Sequence, residues 1–167
     1  NFNGKVFINL EPTIDMVKDN PQASMLNYVP QALFPPKGKL PKCPLPNLKF
    51  DANALKNGEF IWLGHVSLIC KLDGKNIITD PFLHRAFPLP VGGKPFAYEH
   101  AITASDYPEV IDIALISHDH YDHLDHKTIL ELKDRIAKFL VPLGVKAHLV
   151  KWGVNADKIY EFDWFNE

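Results

Sequence analysis

The feature that most constrains this chain is an apolar run that ends in a cluster of histidines. Residues 110–117 (VIDIALIS) are mostly apolar and β-branched, which is typical of a buried strand. The segment 117–126 (SHDHYDHLDH) follows and contains four of the chain's eight histidines. In open α/β sheets, ligands usually bind at the carboxyl ends of the strands. The sequence therefore predicts a binding site at the end of this strand.

The spacing within the cluster is typical of a metal site. Side chains at i, i+2 and i+4 of an extended segment point the same way. His118 and His120 can therefore hold one metal ion, with Asp122 directed into the same space. The chain turns towards a helix at Asp122 and His123, so these two side chains can reach a second ion. Imidazole nitrogens and carboxylate oxygens are ligands that zinc prefers in catalytic sites, so the pattern predicts a site for two metal ions.

Such a site is suited to hydrolysis. Two metal ions about 3.5–4 Å apart hold the electrophile and lower the pKa of water to about 7. We therefore predict a zinc-dependent hydrolase that uses a metal-activated hydroxide. The pattern is not that of a zincin, in which a glutamate follows the first of two histidines at i, i+4. The competing interpretation is a polar, solvated helix entry with accidental histidines.

The other polar residues of the cluster have simpler interpretations. Tyr121 is expected to pack against its neighbours or to face a substrate. Asp125 is a good N-cap for the helix that follows. His126 is expected on the surface, and Asp119 alternates away from the metal ligands.

Composition excludes several other classes of protein. A chain of 167 residues with 46% hydrophobic and 23% charged residues is typical of one globular domain. A net charge of −2, without a local cluster of lysine and arginine, argues against a nucleic-acid partner. No apolar run reaches the ~18 residues that span a bilayer. Cys43 and Cys70 form no C-x-x-C pair, so we expect free thiols.

The first third of the chain is rich in proline. Six prolines lie between Pro30 and Pro46, and proline supplies no N–H for a helix or a central strand. We expect residues 1–58 to form an extended arm packed on the domain that follows. The expected anchoring side chains are Leu33, Phe34, Leu40 and Leu45. A proline-rich ligand for another protein is the alternative.

Residues 59–167 predict a mixed α/β sheet covered by helices. Three strands at 60–63, 66–72 and 75–79 form a meander, in which Asp73 and Gly74 make a two-residue hairpin turn. A long connection at 81–108 leads to a buried strand at 110–117. Helices at 126–138 and 145–152 then alternate with strands at 139–141 and 159–162. This alternation implies parallel pairing through crossovers.

The first of these helices depends on a periodic pattern. Ile129, Leu132 and Ile136 recur at helical spacing, which predicts an apolar face. Glu131 and Arg135 are expected to form an i, i+4 ion pair on the same helix.

Several motifs together resemble the metallo-β-lactamase superfamily. They are 62–65 (WLGH), 79–81 (TDP), 116–125 (ISHDHYDHLD), 141–145 (VPLGV) and 161–164 (EFDW). The resemblance is strongest to the branch that contains N-acyl-phosphatidylethanolamine-hydrolysing phospholipase D and related bacterial metal-dependent hydrolases. It covers most of residues 59–167, and the segment 9–13 (NLEPT) also fits bacterial members.

The resemblance implies roles for individual residues. His118 and His120 would bind the first zinc, and Asp122 and His123 the second, with Asp122 also the candidate catalytic residue. Asp80 corresponds to an aspartate at a strand end that braces the ligand loop. His65 either supports a metal ligand from behind or is a hydrogen-bonded histidine at a strand break.

The family fold is an αββα sandwich made of two similar halves, and residues 59–167 correspond to the N-terminal half. The remaining ligands, two histidines and a bridging aspartate, lie in the C-terminal half of that fold. After His126 the chain has only His148, which matches none of the missing motifs. We therefore expect the C-terminal half, in the same chain or another, to complete the site.

The resemblance implies a small-molecule or lipid substrate. We expect a phosphodiester, with phospholipids as one candidate class; a lactone or other carboxylic ester is the first alternative. A non-catalytic half-domain that needs a second chain is the other. Bacterial relatives often carry an N-terminal membrane or export segment, so the cell envelope is expected over the cytoplasm. A chain that begins Asn1-Phe2-Asn3 is expected to have been processed or trimmed.

Overall fold

A computed structural model describes residues 3–8, 30, 34, 37–38, 40–86 and 93–166. It divides the chain into two units, Cys43–Phe162 and a second one made of Asn1–Lys42 with Asp163–Glu167. In the second unit, the side-chain oxygen of Asn3 accepts hydrogen bonds from the N–H groups of Lys5 and Val6, both at 3.0 Å. The motif at 9–13 and the anchor Leu33 lie outside the described residues. The predicted domain boundary after residue 58 stays a prediction.

The unit Cys43–Phe162 contains a six-stranded mixed sheet. Its strands are β1 (Phe60–Gly64), β2 (Ser67–Leu72), β3 (Lys75–Thr79), β4 (Ile111–Leu115), β5 (Ile136–Pro142) and β6 (Ile159–Phe162). They lie side by side in chain order. The first three pair antiparallel, and β3–β4, β4–β5 and β5–β6 pair parallel. The predicted meander and parallel crossovers are therefore confirmed.

The turn between β2 and β3 forms where the sequence predicts it. Asp73 and Gly74 both have positive φ angles, 46° and 73°. Such angles suit a hairpin turn of type I′, whose twist matches that of the flanking strands. The turn thereby fixes the register in which Leu72 faces Lys75.

Two helices alternate with the parallel strands. They are α1 (His126–Leu132) and α2 (Val145–Lys151), and short 3-10 turns occur at Ala52–Ala54, Ala104–Asp106 and Ala156–Lys158. Asp125 caps α1 as expected, because its carboxylate accepts a hydrogen bond from the Lys127 N–H at 3.2 Å. Gly153 follows α2 with a φ of 81°, the left-handed conformation that favours glycine at a helix end.

The predicted helix at 126–138 is too long. Helix α1 ends at Leu132, and Ile136 begins β5 instead, where it is fully buried opposite Ile111 of β4. The expected Glu131–Arg135 ion pair is also absent. Arg135 donates to the backbone carbonyls of Ala104 and Tyr107, and this binding holds it at the turn between α1 and β5.

The two faces of the sheet differ sharply. One face packs under α1 and α2 in a single core, and its fully buried members include Ile69, Ile78, Ala114, Phe139, Ile129, Leu132 and Leu149. Alternate residues of the strands point to the other face. There Trp62 is 66% exposed and Phe60 69%, and Leu72, Leu115 and Tyr160 are also exposed. Large exposed apolar patches mark interaction surfaces, so this face is suited to cover by another layer.

The side chains that were expected to anchor the proline-rich segment are only partly buried as predicted. Phe34 and Leu40 were predicted as anchors, but both side chains are exposed. Leu45 is half-buried, and its backbone pairs with Tyr98 in an isolated bridge. No helix among the described residues is long and apolar enough to cross a membrane.

Neighbouring isoleucines in β3 test the assignment of the two faces. Ile78 is fully buried and Ile77 is not. We expect Ile78→Ala to destabilise the chain by about 2–5 kcal/mol, and Ile77→Ala by less than about half of that. Urea denaturation of the 167-residue chain provides the measurement. Equal losses from both substitutions would contradict the assignment.

Candidate metal centre

The candidate centre lies where the carboxyl ends of three strands meet. Strand β1 is antiparallel to β2, which is antiparallel to β3, and β3 is parallel to β4. β1, β3 and β4 therefore run in the same direction and end at the same edge. His65 follows β1, Asp80 follows β3, and Ser117 and His118 follow β4 shortly after its end. The fold thus brings together residues that are up to 53 positions apart.

The carboxylate of Asp80 holds the histidine loop in place. One oxygen accepts a hydrogen bond from the Ser117 N–H at 2.7 Å. The other accepts from the Ser117 hydroxyl at 2.7 Å and lies 2.9 Å from Nδ1 of His123. Asp80 is almost fully buried, so these contacts compensate the cost of removing its charge from water. The structure places Asp80 against the loop that it is expected to brace; its role in metal binding stays a prediction.

The backbone of Asp80 is itself strained and held. Its φ of 36° lies in the left-handed region, which costs energy for a residue with a side chain. Its N–H donates to the Leu115 carbonyl at 2.9 Å, and its carbonyl accepts from the Ser67 hydroxyl at 2.6 Å. These bonds fix the direction in which the carboxylate points.

The contact with Asp80 determines which ring nitrogen of His123 can bind a metal ion. A hydrogen bond from Nδ1 of His123 to a carboxylate places the ring proton on Nδ1, so Nε2 keeps its lone pair. Nε2 lies 3.8 Å from a carboxylate oxygen of Asp122. Both donors can therefore bind the same ion.

His65 joins this pair. Its Nε2 lies 3.0 Å from the same oxygen of Asp122. Donor atoms of His65, Asp122 and His123 all lie within 4.8 Å of one another, and this is a group of described residues that could hold a metal ion. His65 has a φ of 49°, and its carbonyl accepts a hydrogen bond from the Trp62 indole at 3.0 Å. The strained turn after β1 therefore directs His65 towards Asp122.

His118 and His120 lie beside this group. Their ring centroids are 4.5 Å apart, and the His118 ring is 3.9 Å from that of His123. Burial lowers the pKa of His118, and the neighbouring charges of His123 and His120 lower this pKa further. The shift favours the neutral imidazole, which is the form that binds metal. The structure thus brings all four predicted metal ligands into one region, and their assignment to particular ions stays a prediction.

The donor set fits a metal ion. It combines neutral imidazoles with a carboxylate, and Asp122 and His65 remain partly open to solvent. Three protein donors with an open position are typical of catalytic zinc sites. The same donors also suit iron and other first-row metals. The arrangement can therefore bind a metal and still admit water or a substrate.

Two polar residues near the centre, Ser117 and Asp125, make contacts that were not predicted from the sequence. The Ser117 hydroxyl lies 2.9 Å from Nδ1 of His118 and 3.1 Å from Nδ1 of His123. The carboxylate of Asp125, beyond its role as a cap, accepts from the His84 N–H at 2.9 Å and the Thr128 hydroxyl at 2.6 Å. The contacts of Ser117 could have been predicted, because Ser117 lies directly before the histidines in the sequence. The contact of Asp125 with His84 could not, because it depends on the three-dimensional fold.

The remaining members of the cluster lie outside the centre's donor group. Asp119, Tyr121 and His126 are exposed. The ring of His126 lies 4.6 Å from that of Trp152, away from the predicted ligands.

Comparison with known proteins identifies the family. The sequence profile of the family described as a beta-lactamase superfamily domain matches residues 75–165, more than half of the chain. The chain belongs to the metallo-β-lactamase superfamily. Its mixed sheet with helices on one face is one half of that family's sandwich.

The chain is similar to the following two relatives and one solved structure. An uncharacterized protein of Mycobacterium tuberculosis is 36% identical over 98% of the chain and 44% of its own length. N-acyl-phosphatidylethanolamine-hydrolyzing phospholipase D 1 of Caenorhabditis elegans is 35% identical over 72% of the chain and 36% of its own. The structure is CmlA, a diiron β-hydroxylase from Streptomyces venezuelae, with 29% identity and a TM-score of 0.48 over 61% of this chain and 20% of its own. The chain spans less than half the length of each.

We predict that Asp80→Asn weakens metal binding about ten- to a hundredfold, because the amide no longer fixes the Nδ1 proton of His123. Asp112→Asn is the matched control. Asp112 lies in β4 and pairs with Lys75 at 3.0 Å, at the end of that strand opposite to the histidine loop. Metal titration of both variants of the intact protein provides the measurement. Equal affinities for the two variants would refute the bracing role.

His65 calls for a separate prediction. If it supports Asp122 without binding the metal, His65→Ala should lower metal affinity about ten- to a hundredfold and leave the number of bound ions unchanged. Elemental analysis at saturating metal counts the ions. Loss of one ion per molecule would instead make His65 a metal ligand.

Proposed function

We propose that the intact protein is a metal-dependent hydrolase of phosphodiesters. The observation that carries this proposal is the group of Asp122, His123 and His65, with donor atoms within 4.8 Å; two of them, Asp122 and His65, line a cavity. Membership of the superfamily supports metal-dependent chemistry at this position.

Each predicted ligand has a part in the proposal. His118 and His120 would hold one ion, and Asp122 and His123 the second, with zinc as the expected metal. When bound, the ions supply Lewis acidity: they lower the pKa of water and neutralise charge on the reacting oxygens. Asp80 keeps the His123 proton on Nδ1. Asp122 also lines the cavity, which supports the proposal that its carboxylate takes a proton from an attacking water.

The cavity beside Asp122 supports a substrate with an apolar part. It has a volume of about 650 Å³, within the usual range for ligand sites. Its wall is largely apolar and includes Leu63, Phe82, Leu83, Phe96 and Ile102. The similarity to a phospholipase D from Caenorhabditis elegans agrees with a phosphodiester that carries an apolar group. We propose phospholipids as one candidate class of substrate.

The exposed apolar face of the sheet supports the expected second half of the fold. Phe60 and Trp62 of β1 and Tyr160 of β6 lie on this face at opposite edges of the sheet. A second sheet packed there would bury this surface and bring further ligands to the edge where the histidines lie. We propose that the C-terminal half of the same fold covers it, in the same chain or another.

We also propose that the intact protein is located in the cell envelope.

Substitution of one metal ligand tests the proposed function. We expect His120→Ala in the intact protein to lower kcat/KM for bis(p-nitrophenyl) phosphate by more than about a hundredfold, because a lost ligand weakens the Lewis acid. His148→Ala is the control, since His148 lies in α2 and is not one of the predicted ligands. Full activity after removal of all metal would overturn the proposal. Faster hydrolysis of a lactone than of the diester would favour the carboxylic ester alternative.

A further inference from the structure

Tyr98 lines the same cavity as Asp122 and His65. Its ring packs against the end of β1: a side-chain carbon added to Gly64 would collide with the Tyr98 hydroxyl. Gly64 also has a φ of 100°, a conformation that favours glycine. The hydroxyl therefore lies against the residue directly before His65. This places a hydrogen-bond donor at the end of the cavity where the metal ligands are.

The backbone around Tyr98 is held firmly by the proline-rich residues. The Leu45 N–H donates to the Ala97 carbonyl at 2.7 Å, and the Glu99 N–H donates to the Leu45 carbonyl at 3.0 Å. The Asn47 side chain bonds both backbone groups of His100, at 2.8 and 2.9 Å. These bonds fix the strand-like segment that carries Tyr98, so the ring has a defined position.

The hydroxyl of Tyr98 makes no hydrogen bond with any residue that the structure describes. Two other polar side chains of the cavity are engaged: His65 contacts Asp122 and His84 contacts Glu131, both at 3.0 Å. The hydroxyl can therefore take a partner from a molecule bound in the cavity. An anionic oxygen of a bound substrate would be such a partner, and a hydrogen bond to a charged group is stronger than one between neutral groups.

We propose that Tyr98 is a substrate-positioning residue, whose hydroxyl donates a hydrogen bond to a non-bridging oxygen of a phosphodiester in the cavity. This inference rests on the proposed function of the same site. The residue neither binds metal nor transfers a proton. Its contribution is affinity for the phosphate group and orientation of that group towards the metal ligands.

The test compares two tyrosines in the intact, metal-loaded protein. Tyr98→Phe should lower kcat/KM for bis(p-nitrophenyl) phosphate about tenfold or more, and weaken binding of diphenyl phosphate by a similar factor. Tyr107→Phe is the matched control. Tyr107 also has a hydroxyl without a hydrogen-bond partner among the described residues, but it is buried in the core. We expect this variant to stay within twofold of the wild type in both measurements.

The outcomes separate this inference from the proposed function. Metal content and melting temperature should be the same in Tyr98→Phe and the wild type. Unchanged kinetics and binding in Tyr98→Phe would overturn the inference, as would a loss that accompanies lost metal or a lowered melting temperature. If the wild type hydrolyses no diester, the proposed function fails, but calorimetry with diphenyl phosphate still decides the role of Tyr98. Absence of binding by the wild type would overturn it.

Discussion

The buried carboxylate of Asp80 is the interaction on which the candidate centre depends. It joins the end of β3 to the first residue of the histidine loop and to the ring of His123. Without hydrogen bonds, a carboxylate this deeply buried would be costly, and removing one partner would leave that cost uncompensated. The same bonds that stabilise the charge therefore set the position of the loop. Stability and the orientation of a metal ligand are coupled here through one side chain.

A second buried carboxylate extends this arrangement to the cavity. Asp125 caps α1 and also accepts hydrogen bonds from the N–H groups of Leu83 and His84. The segment that lines the cavity is thereby tied to the helix that follows the histidine loop. Asp80 and Asp125 act on different segments, yet both lie within the loops at the carboxyl ends of β3 and β4. The strand directions bring these loops to the same edge of the sheet, and the hydrogen bonds of the two carboxylates hold the loops in place.

Much of this could be predicted from the sequence, because the signals are local. The Asp73–Gly74 turn, the apolar run of β4 and the cap at Asp125 each depend on neighbouring residues. Ile136 was placed in a helix because its spacing from Leu132 fits a helical face, whereas pairing with Ile111 determines its state. The contact of His65 with Asp122 could not be predicted from the sequence either. It depends on a turn after β1 and on strand directions, which no local pattern encodes.

Two features have a common physical explanation: the exposed apolar face of the sheet, and the partial exposure of the donor group formed by His65, Asp122 and His123. Alternation along the strands places apolar side chains on both faces, a pattern expected when both faces are to be buried. Helices cover one face, and the other carries Trp62 and Leu115 in solvent. Leu115 is the last residue of β4 and lies two positions before Ser117. A layer packed on that face would thus end beside the predicted metal ligands, where it could supply further donors.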